Sequence, residues 1–113
     1  MADFAFIGND YIASRFLEKT AGNAHFKYVV TNTDRPKGRG RRMSETPVSE
    51  YARHAGIETL KTDDPCSEDF MEILRENPVD FFLVFSYGHI LSEAFLSIPG
   101  KMPVNIHPSL LPK

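Results

Sequence analysis

Apolar residues along this chain alternate between short continuous runs and helical spacing. Phe4-Ala5-Phe6-Ile7 is continuous and is closed by Gly8-Asn9-Asp10, the pattern of a strand buried on both faces in a parallel sheet. Asn9 or Asp10 then caps a helix in which Ile12, Ala13, Phe16 and Leu17 share one face. Gly22 is its expected stop, and Phe26 to Val30 is the second strand. Thr46-Pro47, a cap followed by proline at the first helical position, opens a helix with Val48, Tyr51, Ala52 and Ala55 on one face and Gly56 at its end. Residues 57–62 are short and β-prone, a third strand near the sheet edge. Asp64-Pro65 opens a further helix with Phe70, Ile73 and Leu74 inward, and Asn77-Pro78 stops it. Phe81 to Phe85 is the most apolar run of the chain and is expected at the centre of the sheet. Ser92 caps a short helix closed by Pro99-Gly100, and Met102 to His107 is the last strand.

Strand alternates with helix throughout, which predicts an α/β fold with a doubly wound parallel sheet of about five strands. The expected order is 3-2-1-4-5. Ligands of such sheets sit beyond the carboxyl ends of the strands. That order gathers Gly8, Tyr87-Gly88, Asn105 and His107 at one crevice.

The last strand carries the chemistry. Val104 and Ile106 alternate with Asn105 and His107, so period two puts both polar side chains on one face. Pro108 stops the strand where the pair emerges. Acyl transfer needs an oxyanion donor and an acid/base, and an amide beside an imidazole supplies both. The same pattern also describes a strand end with a solvated Asn and a surface His.

Composition narrows the setting. The chain has 113 residues, 42% hydrophobic and 25% charged, with formal net charge −2, so it is expected to form one ordinary globular domain with no global field for nucleic acid or anionic lipid. Cys66 is the sole cysteine, which excludes an internal disulfide and suits a reducing cytosol. The opening residues lack a basic, then apolar, signal pattern, and no apolar stretch approaches the roughly 20 residues that span a bilayer. A soluble, cytoplasmic protein with no membrane partner is the expectation. Locally, however, Arg35, Lys37, Arg39, Arg41 and Arg42 crowd one aperiodic segment with two glycines and a proline. Neither a stable helix nor a core comes from that composition. It reads as a solvated basic loop or as an interaction arm.

Other signals are weaker. Gly8 begins no G-x-G-x-x-G, which argues against nucleotide binding there. There is no P-loop, no Cys/His cluster at metal spacing and no nucleophile elbow, so neither a metal nor covalent catalysis is expected. His25 and His54 read as surface residues, Cys66 as packing at a helix start, and His89 as either a ligand contact or a solvated loop residue.

Three segments resemble one family, in the same order and over nearly the whole chain. Asn105-Ile106-His107-Pro108-Ser109-Leu110-Leu111-Pro112 is similar to the N-x-H-P-S-L-L-P motif of the folate-dependent formyltransferases. Asp34-Arg35-Pro36-Lys37-Gly38-Arg39-Gly40-Arg41-Arg42 resembles the basic loop of the branch that acts on methionyl-tRNA. Tyr87-Gly88-His89-Ile90-Leu91 resembles the family's Y-G-x-I-L segment. The resemblance implies a Rossmann-like fold and transfer of a formyl group from 10-formyltetrahydrofolate to the amine of methionyl initiator tRNA. It implies Asn105 at the oxyanion and His107 in proton transfer. Tyr87, Gly88, Ile90, Leu91, Ser109, Leu110, Leu111 and Pro112 would line the folate pocket, and Arg35, Lys37, Arg39, Arg41 and Arg42 would contact tRNA. A sugar-nucleotide or glycinamide formyltransferase shares the Asn/His motif without needing the basic loop. A non-catalytic RNA-binding module would use that loop alone.

Two departures accompany the likeness. Gly8-Asn9-Asp10 stands where the tRNA branch commonly has Gly-Thr-Pro. The family's third catalytic group, an Asp some tens of residues after the His, would fall beyond Lys113. Residues 1–113 are therefore expected to be the N-terminal portion of a catalytic domain, silent alone, with an uncovered sheet edge that invites self-association.

Overall fold

The computed structural model describes residues 2–37, 40, 42–85 and 87–106, without the side chain of Lys37. In chain order these form β1 (Asp3–Gly8), α1 (Tyr11–Thr20), β2 (His25–Thr31), β3 (Arg35–Lys37), β4 (Arg42–Ser44), α2 (Pro47–Ala55) and β5 (Glu58–Lys61). There follow α3 (Glu68–Arg75), β6 (Phe81–Phe85), α4 (Glu93–Leu96) and β7 (Met102–Ile106). Five strands make one parallel sheet in the order β5-β2-β1-β6-β7, which is the expected 3-2-1-4-5. The expectation of a central Phe81–Phe85 strand is corrected: β1 occupies the middle, and β6 is its neighbour. The reason is connectivity, because the chain builds outward from β1 on one side and then crosses back to build on the other.

Each face of the sheet is buried by a different helix pair. Ala5, Ile7, Val30, Phe82 and Val84 pack with Phe70, Met71 and Leu74 of α3 and Phe95 of α4. Phe6, Phe26, Val29 and Phe85 pack with Ala13 and Leu17 of α1 and Val48 and Ala52 of α2. Strict alternation would not put Phe26 and Val29 on one face. The register shifts there, Phe4 pairing Phe26 but Ala5 pairing Tyr28, so Lys27 is the extra residue of a bulge that reverses the faces of β2.

Helix boundaries follow their caps. Asp10 accepts a hydrogen bond from Ala13 N, Thr46 from Ser49 N, Ser67 from Phe70 N and Ser92 from Phe95 N, each satisfying an otherwise orphan amide. Gly56, at φ 75°, ends α2 as expected, whereas α1 ends on Ala21 in ordinary helical geometry, so Gly22 is not its cap. α3 begins after Ser67 rather than at Asp64-Pro65, because Ser67 N donates to Asp64 O at 3.2 Å and closes a turn first. Three apolar residues expected inward point outward: Ile12, Ile73 and Ala55 are exposed. Ser14 and Met71 are buried in place of the first two. Ser14 tolerates burial because its hydroxyl donates to Tyr11 O at 2.8 Å.

The basic segment is more regular than its composition suggested. β3 and β4 pair antiparallel, Arg35 opposite Ser44 and Pro36 opposite Met43. Its proline is tolerated because the ribbon has only two strands, leaving an open edge.

Gly8 has a packing role rather than a nucleotide role. A Cβ there would lie 2.8 Å from Phe85 O and 3.1 Å from Ala13 Cβ. The strand pair and α1 approach this closely only because the side chain is missing. Gly8→Ala should therefore destabilise the fold by about 1–3 kcal/mol. Urea unfolding checks this, with the midpoint falling at unchanged slope.

Candidate active site

The carboxyl ends of β6 and β7 enclose a cleft of about 380 Å³ lined by Val84, Tyr87, Gly88, His89, Leu91, Leu96, Pro103, Asn105 and Ile106. That volume is in the range of small-molecule sites. Parallel pairing builds it: Val84 lies opposite Asn105 and Phe85 opposite Ile106, so Asn105 shares the face of Val84. Asn105 is exposed at the mouth of the cleft. Gly88, at φ 84°, turns the chain in a region that side chains rarely enter, and so forms the bend of the wall.

Tyr87 contributes bulk rather than acidity. It is 3% exposed and belongs to the core under α3. Its hydroxyl has no hydrogen-bond partner among the described residues. Burial pushes its phenol pKa up, with Asp63 and Cys66 adding to the shift, so the ring stays neutral. The His89 ring lies 4.5 Å from that of Tyr87, and its Nε2 is 2.8 Å from Asn32 Oδ1. Leu91 lines the cleft. Ile90 does not line it; the residue is 97% exposed and its carbonyl accepts from Cys66 Sγ at 3.7 Å. His107, Ser109, Leu110, Leu111 and Pro112 lie outside the described residues.

Reading the sequence missed Val84, Leu96 and Pro103 as wall residues, and missed Asn9. The Asn9 side chain ties the rim together: Nδ2 donates to Tyr87 O at 2.7 Å, while Oδ1 accepts from Thr31 Oγ1 at 3.0 Å and from Asn32 N at 2.8 Å. The departure from the Gly-Thr-Pro expected of the tRNA branch was the available signal, since it marks a position filled differently here.

The basic ribbon rises beside this rim on two acidic feet. Asp63 accepts from Thr33 N at 3.1 Å, from Thr33 Oγ1 and from Arg35 at 3.1 Å. Glu45 accepts from Ser49 Oγ at 2.8 Å and from Arg53 at 2.6 Å. Arg35 is thus held by a carboxylate, and Lys61 meets Asp34 at 2.7 Å. Arg42 is exposed. Arg39, Arg41 and the side chain of Lys37 lie outside the described residues. Among the described residues no cluster of His, Cys, Asp or Glu is arranged to hold a metal, and no helix is long and apolar enough to cross a membrane.

Known proteins of similar sequence and shape decide the family. The formyl transferase family model matches residues 5–113. The chain belongs to the formyl transferase family. Among its curated relatives is methionyl-tRNA formyltransferase from Streptomyces coelicolor, 46% identical over 92 residues, which are 81% of this chain and 30% of that one. The enzyme of the same name from Clostridium tetani is 37% identical over 114 residues, covering 100% of this chain and 37% of the relative. The chain therefore spans about a third of the length of these relatives. Among solved structures, phosphoribosylglycinamide formyltransferase from Streptococcus pneumoniae aligns with TM-score 0.69 and 21% identity over 99% of this chain and 59% of its own. Glycinamide ribonucleotide transformylase 1 from Geobacillus kaustophilus gives 0.67 and 23%, over 99% and 61%. These establish the fold as that of the formyltransferases, a five-stranded parallel sheet with helices on both faces.

The acidic feet of the ribbon carry a pH signature. Hydrogen bonds from Thr33, with the Arg35 charge added, hold the Asp63 carboxyl below its ordinary value of 3.8. Bonds from Arg53 and Ser49 hold Glu45 below 4.5. A carboxyl depressed on folding stabilises above its unfolded value and loses that contribution as pH falls through its folded value. The Thr33 amide resonance should accordingly titrate with a midpoint below 3.8. A midpoint at or above that value contradicts the contact.

Proposed function

We propose that residues 1–113 form the N-terminal part of a catalytic domain that transfers the formyl group of 10-formyltetrahydrofolate to the amine of methionyl initiator tRNA in the cytosol. The observation that carries this reading is the convergence of Asn105, the Tyr87-Gly88 turn and Leu91 on one cleft in a member of the formyl transferase family.

Attack of the amine nitrogen on the formyl carbon makes a tetrahedral adduct with negative charge on its oxygen. The attacking nitrogen gives up a proton, the C–N bond to the folate breaks, and the folate nitrogen takes up a proton in place of the formyl group. Asn105 is assigned the hydrogen bond to the oxyanion, an interaction typically worth about 2.7–4 kcal/mol. His107 is assigned the proton transfer. Val84, Leu91 and Leu96 give the cleft apolar walls while His89 and Asn105 give it polar ones, the mixture that holds a flat heteroaromatic donor. Ser109, Leu110, Leu111 and Pro112 are assigned to the same pocket, and Ile90 to its approach. The cations at Arg35, Lys37, Arg39, Arg41 and Arg42 are assigned to phosphates of the acceptor arm. The five give one segment a positive charge that the whole chain, at −2, does not have, and this favours the tRNA branch. The outer edge of β7, unpaired among the described residues, is proposed to accept a further strand of a longer chain or a second copy.

Purified chain titrated with tetrahydrofolate and, separately, with an acceptor-stem minihelix tests both halves. Neutralising Arg39, Arg41 and Arg42 should weaken minihelix binding and lower its log–log salt slope by about one for each phosphate no longer neutralised. Tetrahydrofolate affinity should be unchanged, and an equal fall in both would refute the division of labour. In an active enzyme that contains this segment, Asn105→Ala should lower kcat by about 10²–10³. An unchanged kcat would leave only RNA binding as the role.

A further inference from the structure

We propose that Asn9 is a positioning residue that fixes the root of the basic ribbon against the wall of the cleft. Its backbone position follows Gly8, whose missing side chain lets β1 end against Phe85. From there its amide reaches two elements distant in sequence. Oδ1 accepts from Thr31 Oγ1 and Asn32 N, where β2 leaves the sheet toward β3, and Nδ2 donates to Tyr87 O, where β6 leaves the sheet toward the cleft. The orientation of the amide is set by its partners, since a backbone N–H requires an acceptor and a carbonyl requires a donor. The backbone carbonyl of Asn9 also accepts from Val48 N at 3.3 Å in the first turn of α2. Thr31 Oγ1 lies 2.6 Å from Thr46 Oγ1, the cap of that helix. A second bridge runs parallel to the first, His89 Nε2 lying 2.8 Å from Asn32 Oδ1.

Three properties set this network apart from ordinary loop hydrogen bonding. First, it joins the two segments assigned to different substrates, and those segments share no pairing in the sheet. Second, few side chains make both kinds of contact from this position. An Asp keeps the acceptor but turns a carboxylate oxygen toward Tyr87 O, an Ala makes neither bond, and a Thr offers a single oxygen. Third, the network is partly buried, whereas each ion pair at the ribbon feet has an exposed arginine as one partner and individually contributes little. The lateral position of the ribbon is therefore set by Asn9 and Asn32 rather than by its charges. In functional terms, which rest on the reading proposed above, Asn9 sets the distance between the phosphates gripped by the ribbon and the formyl carbon in the cleft. A misplacement of about 1 Å costs on the order of 10² in rate.

The distance itself is measurable without RNA or folate. In a Cys66→Ser background, Met43→Cys on β4 and Ile90→Cys beside the cleft replace two exposed side chains and carry spin labels for a dipolar distance measurement. The chain with Asn9 intact should give one narrow distribution. Asn9→Ala should broaden it about twofold, by releasing both ends of the bridge. Asn9→Asp should broaden it less, because the bonds from Thr31 and Asn32 survive. Hydrogen exchange of folded Asn9→Asp should rise at Tyr87–His89 and stay unchanged at Thr31–Thr33. A role in stability alone predicts no change in width for any variant that remains folded. Widths equal to that of the Asn9 chain in both variants overturn the proposal. Should Asn9→Ala fail to fold, Asn9→Asp decides by the same criterion. Broadening supports the bridge even if ligand binding fails, and an unchanged width overturns it even if binding succeeds.

Discussion

Parallel alignment of all five strands is the constraint from which the rest follows. A parallel ladder sends every carboxyl end to the same rim, so Gly8, Thr31, Phe85 and Ile106 end side by side although they are scattered along the chain. One rim therefore holds the loop that carries Asn9, the exit toward the basic ribbon, the Tyr87-Gly88 turn and the end of the strand bearing Asn105. An antiparallel arrangement of the same segments would divide these groups between opposite ends of the sheet. Burial enforces the parallel choice. The strands carry apolar residues toward both faces, and only helices on both faces bury them.

The rim is held by neutral hydrogen bonds and decorated by charges, and the two do different work. Pairs such as Arg35 with Asp63 and Lys61 with Asp34 join exposed or half-exposed partners, so solvent and salt weaken them. They pair the acidic residues beside the ribbon while Arg42 stays exposed. The amide of Asn9 makes three bonds in a partly buried setting, where an unmet partner is costly. A charged ribbon mounted on an uncharged joint keeps its position as ionic strength changes.

Family membership agrees with the shape of the sheet. The solved formyltransferases align along 99% of this chain but only 59–61% of their own length. β7 has a partner on one side alone among the described residues, and the cleft opens beside it. The sheet and its rim bring Asn105, Tyr87 and Gly88 around one cavity.

The sequence by itself determined the strand and helix alternation, the strand order, the helix caps at Thr46 and Ser92 and the convergence of Tyr87-Gly88 with Asn105. These are legible because periodicity, caps and turn residues act over a few residues, and because a parallel sheet has one ligand-binding rim. The tertiary structure alone decided the rest. It turned Ile12 and Ile73 outward while burying Ser14 and Met71. It placed a bulge at Lys27 and drew β3 and β4 into a ribbon from a segment whose composition opposes regular structure. It also made Asn9 a joint and left the capping of α1 to Asp10. The joint depends on partners far apart in the chain, 78 positions for Asn9 and Tyr87. A contact of that reach leaves no local pattern, because its energy arises only after the sheet has brought the partners together.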